Sequence, residues 1–182
     1  MPPRPGRGAP KARLDEILRV DHAGEVAAVQ IYRAQAAVFG ASASSAALAG
    51  RMKAMGEQEA EHLAAFDALL SERHARPSLL TPLWRAAAFA LGAGTALMGE
   101  KAAHACTEAV EAVIERHYAG QVDELADSEP ALAQTLSRFR DDELAHQAEA
   151  VKQGARTAPA YPLLSALIQA GCRAAIKTAE KI

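Results

Sequence analysis

The chain has few aromatic residues, two cysteines and little net charge, and the last two of these features argue against particular classes of protein. Aromatic residues make up 4% of the 182 residues, and the formal charge at pH 7 is −2. A charge this small gives no reason to expect nucleic acid as a partner. Cys106 and Cys172 lie far apart and outside any C-x-x-C spacing, which argues against a disulfide framework or a zinc knuckle. We expect each thiol to be a small buried apolar group in a protein from a reducing compartment.

The sequence also lacks sustained strand alternation and any apolar run long enough to cross a membrane. Two apolar stretches stand out, with 14 uncharged residues between Arg85 and Glu100 and 16 between Arg156 and Arg173. A spanning helix needs roughly 20 apolar residues, so neither stretch should cross a bilayer. Each is either a buried core helix, or a helix that lies in a membrane interface or walls a channel for a lipid-like substrate. The residues alone leave these alternatives open.

Alanine is frequent, and proline and glycine residues separate the alanine-rich segments. This pattern predicts an all-α protein. The predicted helices cover about residues 14–39, 46–76, 83 through the 90s, 100–126, 130–155 and 161–180. Asp15 and Glu16 would form an acidic first turn, and Pro77 would end the second helix. Residues 1–12 are basic, rich in proline and glycine, and predict a flexible tail without the apolar core of a secretory signal. Residues 13–182 then form one domain.

One pattern occurs twice: a glutamate, a tyrosine seven residues later, a glutamine ten residues later, and then a Glu-x-x-His. The first copy consists of Glu25, Tyr32, Gln35, Glu59 and His62. The second copy consists of Glu111, Tyr118, Gln121, Glu143 and His146. Positions i and i+3 share one face of a helix, so each Glu-x-x-His directs both side chains the same way. The repeat therefore predicts two helix hairpins with matching polar faces.

Together the two hairpins offer four carboxylates and two imidazoles, the ligand set of a dinuclear iron or manganese site inside a four-helix bundle. Four carboxylates balance the charge of two divalent ions. Without metal, the same carboxylates would repel each other and would have to bind protons when buried. The absence of thiolates from the set disfavours a structural zinc site. We therefore interpret the repeat as a metal centre rather than as a solvated helix face.

Other polar residues lie near this ligand set on the predicted helices. Asp142 precedes His146 by four residues and Gln58 precedes His62 by four, so each lies within reach of the imidazole on its own helix. Tyr32 lies two turns past the lone glutamate of its copy, as does the tyrosine of the second copy. These tyrosines either form hydrogen bonds near the site or simply pack.

Several segments resemble the demethoxyubiquinone hydroxylases of ubiquinone biosynthesis. They are RVDHAGE at 19–25, QEAEH at 58–62, the segment 82–111, HY at 117–118, FRDDELAH at 139–146, and the segment 158–176. The resemblance covers about residues 14–182. It implies a ferritin-like four-helix bundle with additional apolar helices at a membrane interface. It also implies a carboxylate-bridged di-iron centre, held by Glu25, Glu59, His62, Glu111, Glu143 and His146, in which Glu59 and Glu143 are natural bridging ligands.

The resemblance further implies a monooxygenase that hydroxylates a polyprenyl methoxy-methyl-benzoquinol, demethoxyubiquinol, using dioxygen and electrons from NADH. The chain has no Rossmann fingerprint, so NADH cannot dock in the usual way. Electrons would arrive through the bound quinone, with His117 and Tyr118 as candidate relays. Because a prenyl tail lives in the bilayer, we expect a peripheral protein on the cytoplasmic face of a bacterial inner membrane, or on the matrix side of a mitochondrial one. A homo-oligomer or a ubiquinone-biosynthesis complex is the expected assembly.

Two rival hypotheses share part of this evidence. A ferritin or rubrerythrin-like iron-handling protein would use the same ligands, but it would need neither apolar helix and would load far more than two iron ions. A non-catalytic helical scaffold at a membrane would carry its acidic residues by accident, and metal removal would change nothing in it.

Overall fold

The computed structural model describes residues 10–182, which form six α-helices. The helices are α1 (Pro10–Gly40), α2 (Ala46–Glu72), α3 (Thr81–Leu97), α4 (Glu100–Leu125), α5 (Pro130–Lys152) and α6 (Tyr161–Ala179). Single turns of 3₁₀ helix, Ala43–Ser45 and Ala155–Thr157, lie in two of the connections. The described residues contain no strand, so the all-α prediction is confirmed. Most of the predicted tail, residues 1–9, lies outside the described residues, whereas 10–12 belong to α1.

The repeat in the sequence is also a repeat of structure. Helix α1 packs against α2 and α4 packs against α5, which gives one hairpin for each copy of the pattern. Helix α3 then packs on α1 and α6 packs on α4, so each hairpin carries one of the two apolar helices. No helix in the described part of the chain has the length and apolar character needed to cross a lipid bilayer.

Two apolar clusters lie toward the two ends of the bundle, with the polar repeat residues between them along each hairpin. One cluster contains Ile17, Leu18, Phe66, Leu70, Leu125, Leu132, Leu136 and Phe139. The other contains Tyr32, Phe39, Leu48, Met52, Ala96 and Ala103. Burying a large apolar side chain contributes about 1.5–3 kcal/mol, so these clusters can support a polar layer between them.

Helix α1 begins four residues earlier than the sequence pattern predicted, at Pro10. Asp15 and Glu16 therefore do not form an acidic first turn, and that prediction is wrong. Instead Lys11 lies 2.9 Å from Asp15 and Arg13 lies 2.6 Å from Glu16. The basic residues one turn earlier extend the helix because pairs at i,i+3 and i,i+4 stabilise it.

Helix α2 ends at Glu72 rather than near 76, so Pro77 does not terminate it. His74 adopts a left-handed backbone with φ 52°, and the Ala75 N–H donates to the carbonyl of Leu70 at 2.9 Å. This hydrogen bond across a left-handed residue is the Schellman way of ending a helix. Helix α5 likewise ends at Lys152, ahead of Gly154 with φ 91°, rather than at 155.

Both cysteines are free, as the sequence predicted. Cys106 is buried, and burial raises the pKa of its thiol to about 12. Cys172 is half-buried, and burial raises its pKa to about 11. Both thiols therefore stay protonated at neutral pH and behave as small apolar groups.

Gly92 allows α3 to approach the backbone of α1 closely. A Cβ at this position would lie 2.4 Å from the carbonyl oxygen of Ile31 and 2.8 Å from its Cα. We expect Gly92→Ala to lower the free energy of unfolding by about 1–3 kcal/mol, because backbone must move to admit the methyl group. Gly94→Ala is the matched control, since nothing lies within 4 Å of its Cβ, and it should stabilise α3 by roughly 0.5–1 kcal/mol. Urea unfolding followed by circular dichroism measures both; equal midpoints would contradict the close contact.

Candidate metal centre

The structure brings the six predicted ligands together in the middle of the bundle, and none is more than 6% exposed. Helix α1 supplies Glu25, α2 supplies Glu59 and His62, α4 supplies Glu111, and α5 supplies Glu143 and His146. Their oxygen and nitrogen atoms form two overlapping groups, in each of which one atom per residue lies within 4.8 Å of the others. We call the group with Glu25 and His62 position 1, and the group with Glu111 and His146 position 2. Glu59 and Glu143 belong to both.

Eight buried atoms of these six side chains have no hydrogen-bond partner. They are the Oε2 atoms of Glu25 and Glu111, both carboxylate oxygens of Glu59 and of Glu143, and the Nδ1 atoms of His62 and His146. An unpartnered buried polar atom costs about 1–3 kcal/mol, so a cluster of eight needs an explanation. Several of these atoms face each other, and His146 Nδ1 lies 2.8 Å from Glu59 Oε1. Oxygen and imidazole donors that converge in this way fit a pair of divalent metal ions.

The pKa shifts within the cluster indicate how its negative charge is neutralised when no metal is bound. Burial, together with the neighbouring carboxylates, raises the pKa of Glu25 and of Glu111 well above the usual value. Burial also acts to raise the pKa of Glu59, but the imidazoles of His146 and His62 outweigh it and lower that pKa to about 2. Burial acts to lower the pKa of His146, yet Glu143 and Glu59 raise it to about 9. Protons therefore neutralise the cluster when no cation is bound, as the sequence argument required.

The two tyrosines of the repeat form hydrogen bonds, and they do so across the two copies. Tyr32 Oη on α1 donates to Glu111 Oε1 on α4 at 2.5 Å. Tyr118 Oη on α4 donates to Glu25 Oε1 on α1. Of the two alternatives left by the sequence, hydrogen bonding to the site is therefore correct. Each tyrosine engages one oxygen of a lone glutamate and leaves the other oxygen directed into the cluster.

The outer nitrogens of the two histidines are also engaged across the copies. His62 Nε2 lies 3.1 Å from Asp142 Oδ2, and His146 Nε2 lies 3.0 Å from Gln58 Oε1. The prediction that each residue would serve the histidine of its own helix is thus wrong. The reason is that Nδ1 of each ring faces the cluster, so Nε2 points past its own helix to the one opposite.

The two candidate relay residues occupy different environments. Tyr118 contacts Glu25, as described, whereas His117 is outside the ligand cluster, and its side chain is 23% exposed. His117 Nε2 lies 3.4 Å from Asp21 Oδ1 and 2.9 Å from Gln121 Nε2. Gln121 also donates to Asp21 at 2.8 Å, so these three residues form a polar network one turn from the lone glutamate of α1. Gln35, its counterpart in the first copy, instead donates to the backbone carbonyl of Ala103.

An apolar cavity of about 510 Å³ lies beside the cluster, between α1 and α4 on one side and α3 and α6 on the other. Gly24 and Val110, which immediately precede the two lone glutamates, form part of its wall. The outer wall includes Trp84, Ile168 and Gly171, which the sequence did not single out. The small and apolar residues of the two uncharged stretches were the available signal. Both stretches therefore wall a cavity, and they also expose large apolar side chains such as Leu97 and Leu163.

Fold and site together define a class: helical-bundle proteins whose core holds a two-fold repeated set of glutamate and histidine side chains suited to a pair of metal ions. Residues 12–179 match the family model described as ubiquinone biosynthesis protein COQ7. The chain belongs to this family, and the resemblance seen in the motifs is confirmed.

Relatives named as hydroxylases support the expectation of an enzyme. The chain is 50% identical to the 3-demethoxyubiquinol 3-hydroxylase of Rhodospirillum rubrum, over 98% of this chain and 82% of the relative. It is 45% identical to the NADPH-dependent 3-demethoxyubiquinone 3-hydroxylase, mitochondrial, of Rattus norvegicus, over 94% and 79%. It is 43% identical to the 5-demethoxyubiquinone hydroxylase, mitochondrial, of Saccharomyces cerevisiae, over 96% and 80%. The rat relative's name specifies NADPH, whereas the family resemblance implied NADH for this chain.

Proposed function

We propose that this protein is a 3-demethoxyubiquinol 3-hydroxylase, a di-iron monooxygenase of the ferritin-like class that acts late in ubiquinone biosynthesis. The observation that carries the proposal is the convergence of eight unpartnered ligand atoms next to an apolar cavity, in a chain of the COQ7 family. Helices α1, α2, α4 and α5 correspond to the four-helix bundle, and α3 and α6 are the apolar additions. The substrate is a polyprenyl methoxy-methyl-benzoquinol.

Both metal positions can be filled from this chain alone. Glu25 and His62 would hold one ion, Glu111 and His146 the other, and the two shared glutamates would bridge them. When bound, two iron ions supply the activation of dioxygen that amino-acid side chains cannot provide. An iron-handling protein of the ferritin or rubrerythrin type remains the alternative, since it would use the same ligands.

The tyrosines act as fixed hydrogen-bond donors that orient the lone glutamates. Burial raises the pKa of Tyr32 and of Tyr118 well above the usual value, so both phenols keep their protons. A protonated phenol donates to one carboxylate oxygen of Glu111 or Glu25 and holds that group in place. The second oxygen of each glutamate stays available as a ligand.

The cavity supplies the binding site for the quinol. Its volume of about 510 Å³ lies within the usual range for small-molecule sites, and its lining residues carry no charged side chain. The apolar walls exclude water from the ring, and Gly24 and Val110, which adjoin the ligands Glu25 and Glu111 in the sequence, line the cavity. A prenyl tail can leave past Leu167, which lines the cavity and is 63% exposed.

The balance of the reaction requires two electrons and two protons. One oxygen atom of dioxygen replaces a ring hydrogen as a hydroxyl group, and the other leaves as water. We assign the electrons to a reduced nicotinamide, NADH or NADPH, that acts through the bound quinone. His117 and Tyr118 are candidate relays, and their positions support this role: His117 is partly exposed, while Tyr118 touches Glu25.

Isotopically labelled dioxygen tests the proposed function. Purified protein loaded with Fe(II) and supplied with NADH or NADPH should convert a short-chain demethoxyubiquinol to a product that carries one labelled oxygen, detected by mass spectrometry. Product that forms only with unlabelled oxygen from water would refute the monooxygenase reaction. Iron loading far beyond two ions per chain without product would favour the iron-handling alternative, and unchanged behaviour after metal removal would favour the scaffold hypothesis.

We further propose that α3 and α6 hold the protein at a membrane surface, at the cytoplasmic face of a bacterial inner membrane or the matrix side of a mitochondrial one. Leu163 and Leu167 are each 63% exposed on α6, and Leu83 and Phe89 are exposed on α3. Leu164, between the two exposed leucines of α6, lines the cavity instead. A homo-oligomer or a ubiquinone-biosynthesis complex stays a prediction.

Removing the exposed leucines of α6 should release the protein from lipid. We expect Leu163→Ser combined with Leu167→Ser to reduce co-flotation with liposomes about tenfold or more, since each buried leucine contributes about 1.5–3 kcal/mol. The bundle should stay folded, because neither side chain is buried in the core. Leu144→Ser on α5, where the leucine is 39% exposed, is the control and should float like the unaltered protein. Unchanged flotation of the double variant would place the membrane contact elsewhere.

A further inference from the structure

The internal repeat provides a built-in comparison of the two metal positions, and it shows a difference in charge. The imidazole of position 1, His62, is hydrogen-bonded through Nε2 to a carboxylate oxygen of Asp142 at 3.1 Å. The imidazole of position 2, His146, is hydrogen-bonded through Nε2 to the amide oxygen of Gln58 at 3.0 Å. Both partners immediately precede the Glu-x-x-His of the opposite copy. Equivalent places in the repeat therefore hold a carboxylate on one side and a neutral amide on the other.

A second pair of equivalent positions in the repeat also has a carboxylate near position 1 and a neutral side chain near position 2. Asp21 precedes Glu25 by one turn, and Thr107 precedes Glu111 by one turn. Both side chains are buried, and Asp21 Oδ2 and Thr107 Oγ1 have no hydrogen-bond partner. The other oxygen of Asp21 lies 3.4 Å from His117 Nε2 and accepts from Gln121 Nε2, so this carboxylate is already engaged outside the ligand cluster. The partners of the two histidines therefore contribute most of the charge difference between the two positions.

The effect of Asp142 reaches the site through His62. When Nδ1, which faces the cluster, binds a metal ion, Nε2 must carry the ring proton, and Nε2–H then donates a hydrogen bond to the Asp142 carboxylate. A hydrogen bond to an ionised acceptor is roughly twice as strong as one to a neutral acceptor, and it makes the imidazole a better donor to a metal. Within the described residues no lysine or arginine forms an ion pair with Asp142. Its side chain is 40% exposed, so solvent attenuates its long-range field but leaves the direct hydrogen bond.

We propose that position 1 binds a divalent ion more tightly than position 2 and fills first, with Asp142 as the positioning residue that sets the order. The proposal rests on the metal centre of the proposed function.

A cycle of variants with one position disabled tests this order. His146→Ala disables position 2 and His62→Ala disables position 1, and each protein is titrated anaerobically with Co(II) by calorimetry. His146→Ala keeps position 1 and should therefore bind one Co(II) ion more tightly than His62→Ala, which keeps position 2. Adding Asp142→Asn to it should weaken Co(II) binding by about 10–100-fold, the usual effect of losing such a partner. Adding Asp142→Asn to His62→Ala should change little, because the imidazole that Asp142 acts through is absent.

Two further variants separate the hydrogen bond from general effects of charge and folding. Asp141→Asn removes the same charge from the same helix at a side chain that is 69% exposed, and it should leave Co(II) binding unchanged. Gln58→Glu should tighten position 2 in His62→Ala, which is a gain that misfolding cannot produce. Equal losses from Asp142→Asn and Asp141→Asn, or no gain from Gln58→Glu, would overturn the proposed order. Full-length unaltered protein that binds no Co(II) would instead refute the metal centre itself.

Discussion

Glu59→Ala should reduce the bound metal from two ions per chain to well below one, and Glu143→Ala should do the same. Each of these glutamates belongs to both groups of converging ligand atoms, so its removal takes a ligand from both positions at once. Loss of a partner outside the ligand set already costs about 10–100-fold in affinity, and loss of a shared ligand should cost more. Metal analysis after gel filtration measures the content.

Glu61→Ala is the matched control for this experiment. Glu61 lies on α2 two residues beyond Glu59 but is exposed, so its removal should leave both ions in place. Alanine suits a helix interior at either position, and the secondary structure should therefore be retained. Full metal retention in both Glu59→Ala and Glu143→Ala would refute the assignment of these six residues as ligands.

His146→Ala should abolish hydroxylation while the protein remains folded and present. The imidazole Nδ1 lies 2.8 Å from Glu59 Oε1, at the centre of position 2, and its loss leaves that position with carboxylates alone. We expect at least about a 100-fold loss of activity, beyond the effect of removing an outer partner. Cells that carry only this variant should accumulate the demethoxy quinone and lack ubiquinone, as measured by mass spectrometry of extracted quinones.

The control for the cellular experiment is His74→Asn. His74 is exposed and has a left-handed backbone that asparagine tolerates, so ubiquinone should stay normal. Normal ubiquinone in cells with His146→Ala would contradict the catalytic role of the site. Missing ubiquinone without the demethoxy intermediate would assign the protein to another step of the pathway.

The parts of the site that follow from local helix geometry could be predicted from the sequence. Glu143 and His146 are three residues apart on one helix, so their common direction needs no knowledge of the fold. The partner of His62 could not be predicted in this way. Asp142 was assigned to the histidine on its own helix, and only the packing of α2 near α5 brings it to the opposite one.

The helix ends and the outer wall of the cavity likewise depend on packing that the local sequence does not specify. Pro77 suggested the end of α2, but the left-handed conformation of His74 ends the helix earlier, and no strong residue signal marks that choice. The close approach at Gly92 depends on where the backbone of Ile31 lies, which the sequence does not specify. The cavity depends on four helices at once, so its lining could be recognised only as apolar composition.

Because residues of each hairpin contact residues of the other, the site cannot be completed until late in the synthesis of the chain. Glu25 leaves the ribosome early, but the phenol that fixes it belongs to Tyr118, and the cluster is complete only with His146. The chain is made at about 5–20 residues per second, so the first hairpin waits roughly ten seconds for its counterpart. During that interval Glu25 and Glu59 have only the imidazole of His62 beside them, and water is their other favourable surrounding. Closure of the bundle and acquisition of metal are therefore events of the nearly finished chain.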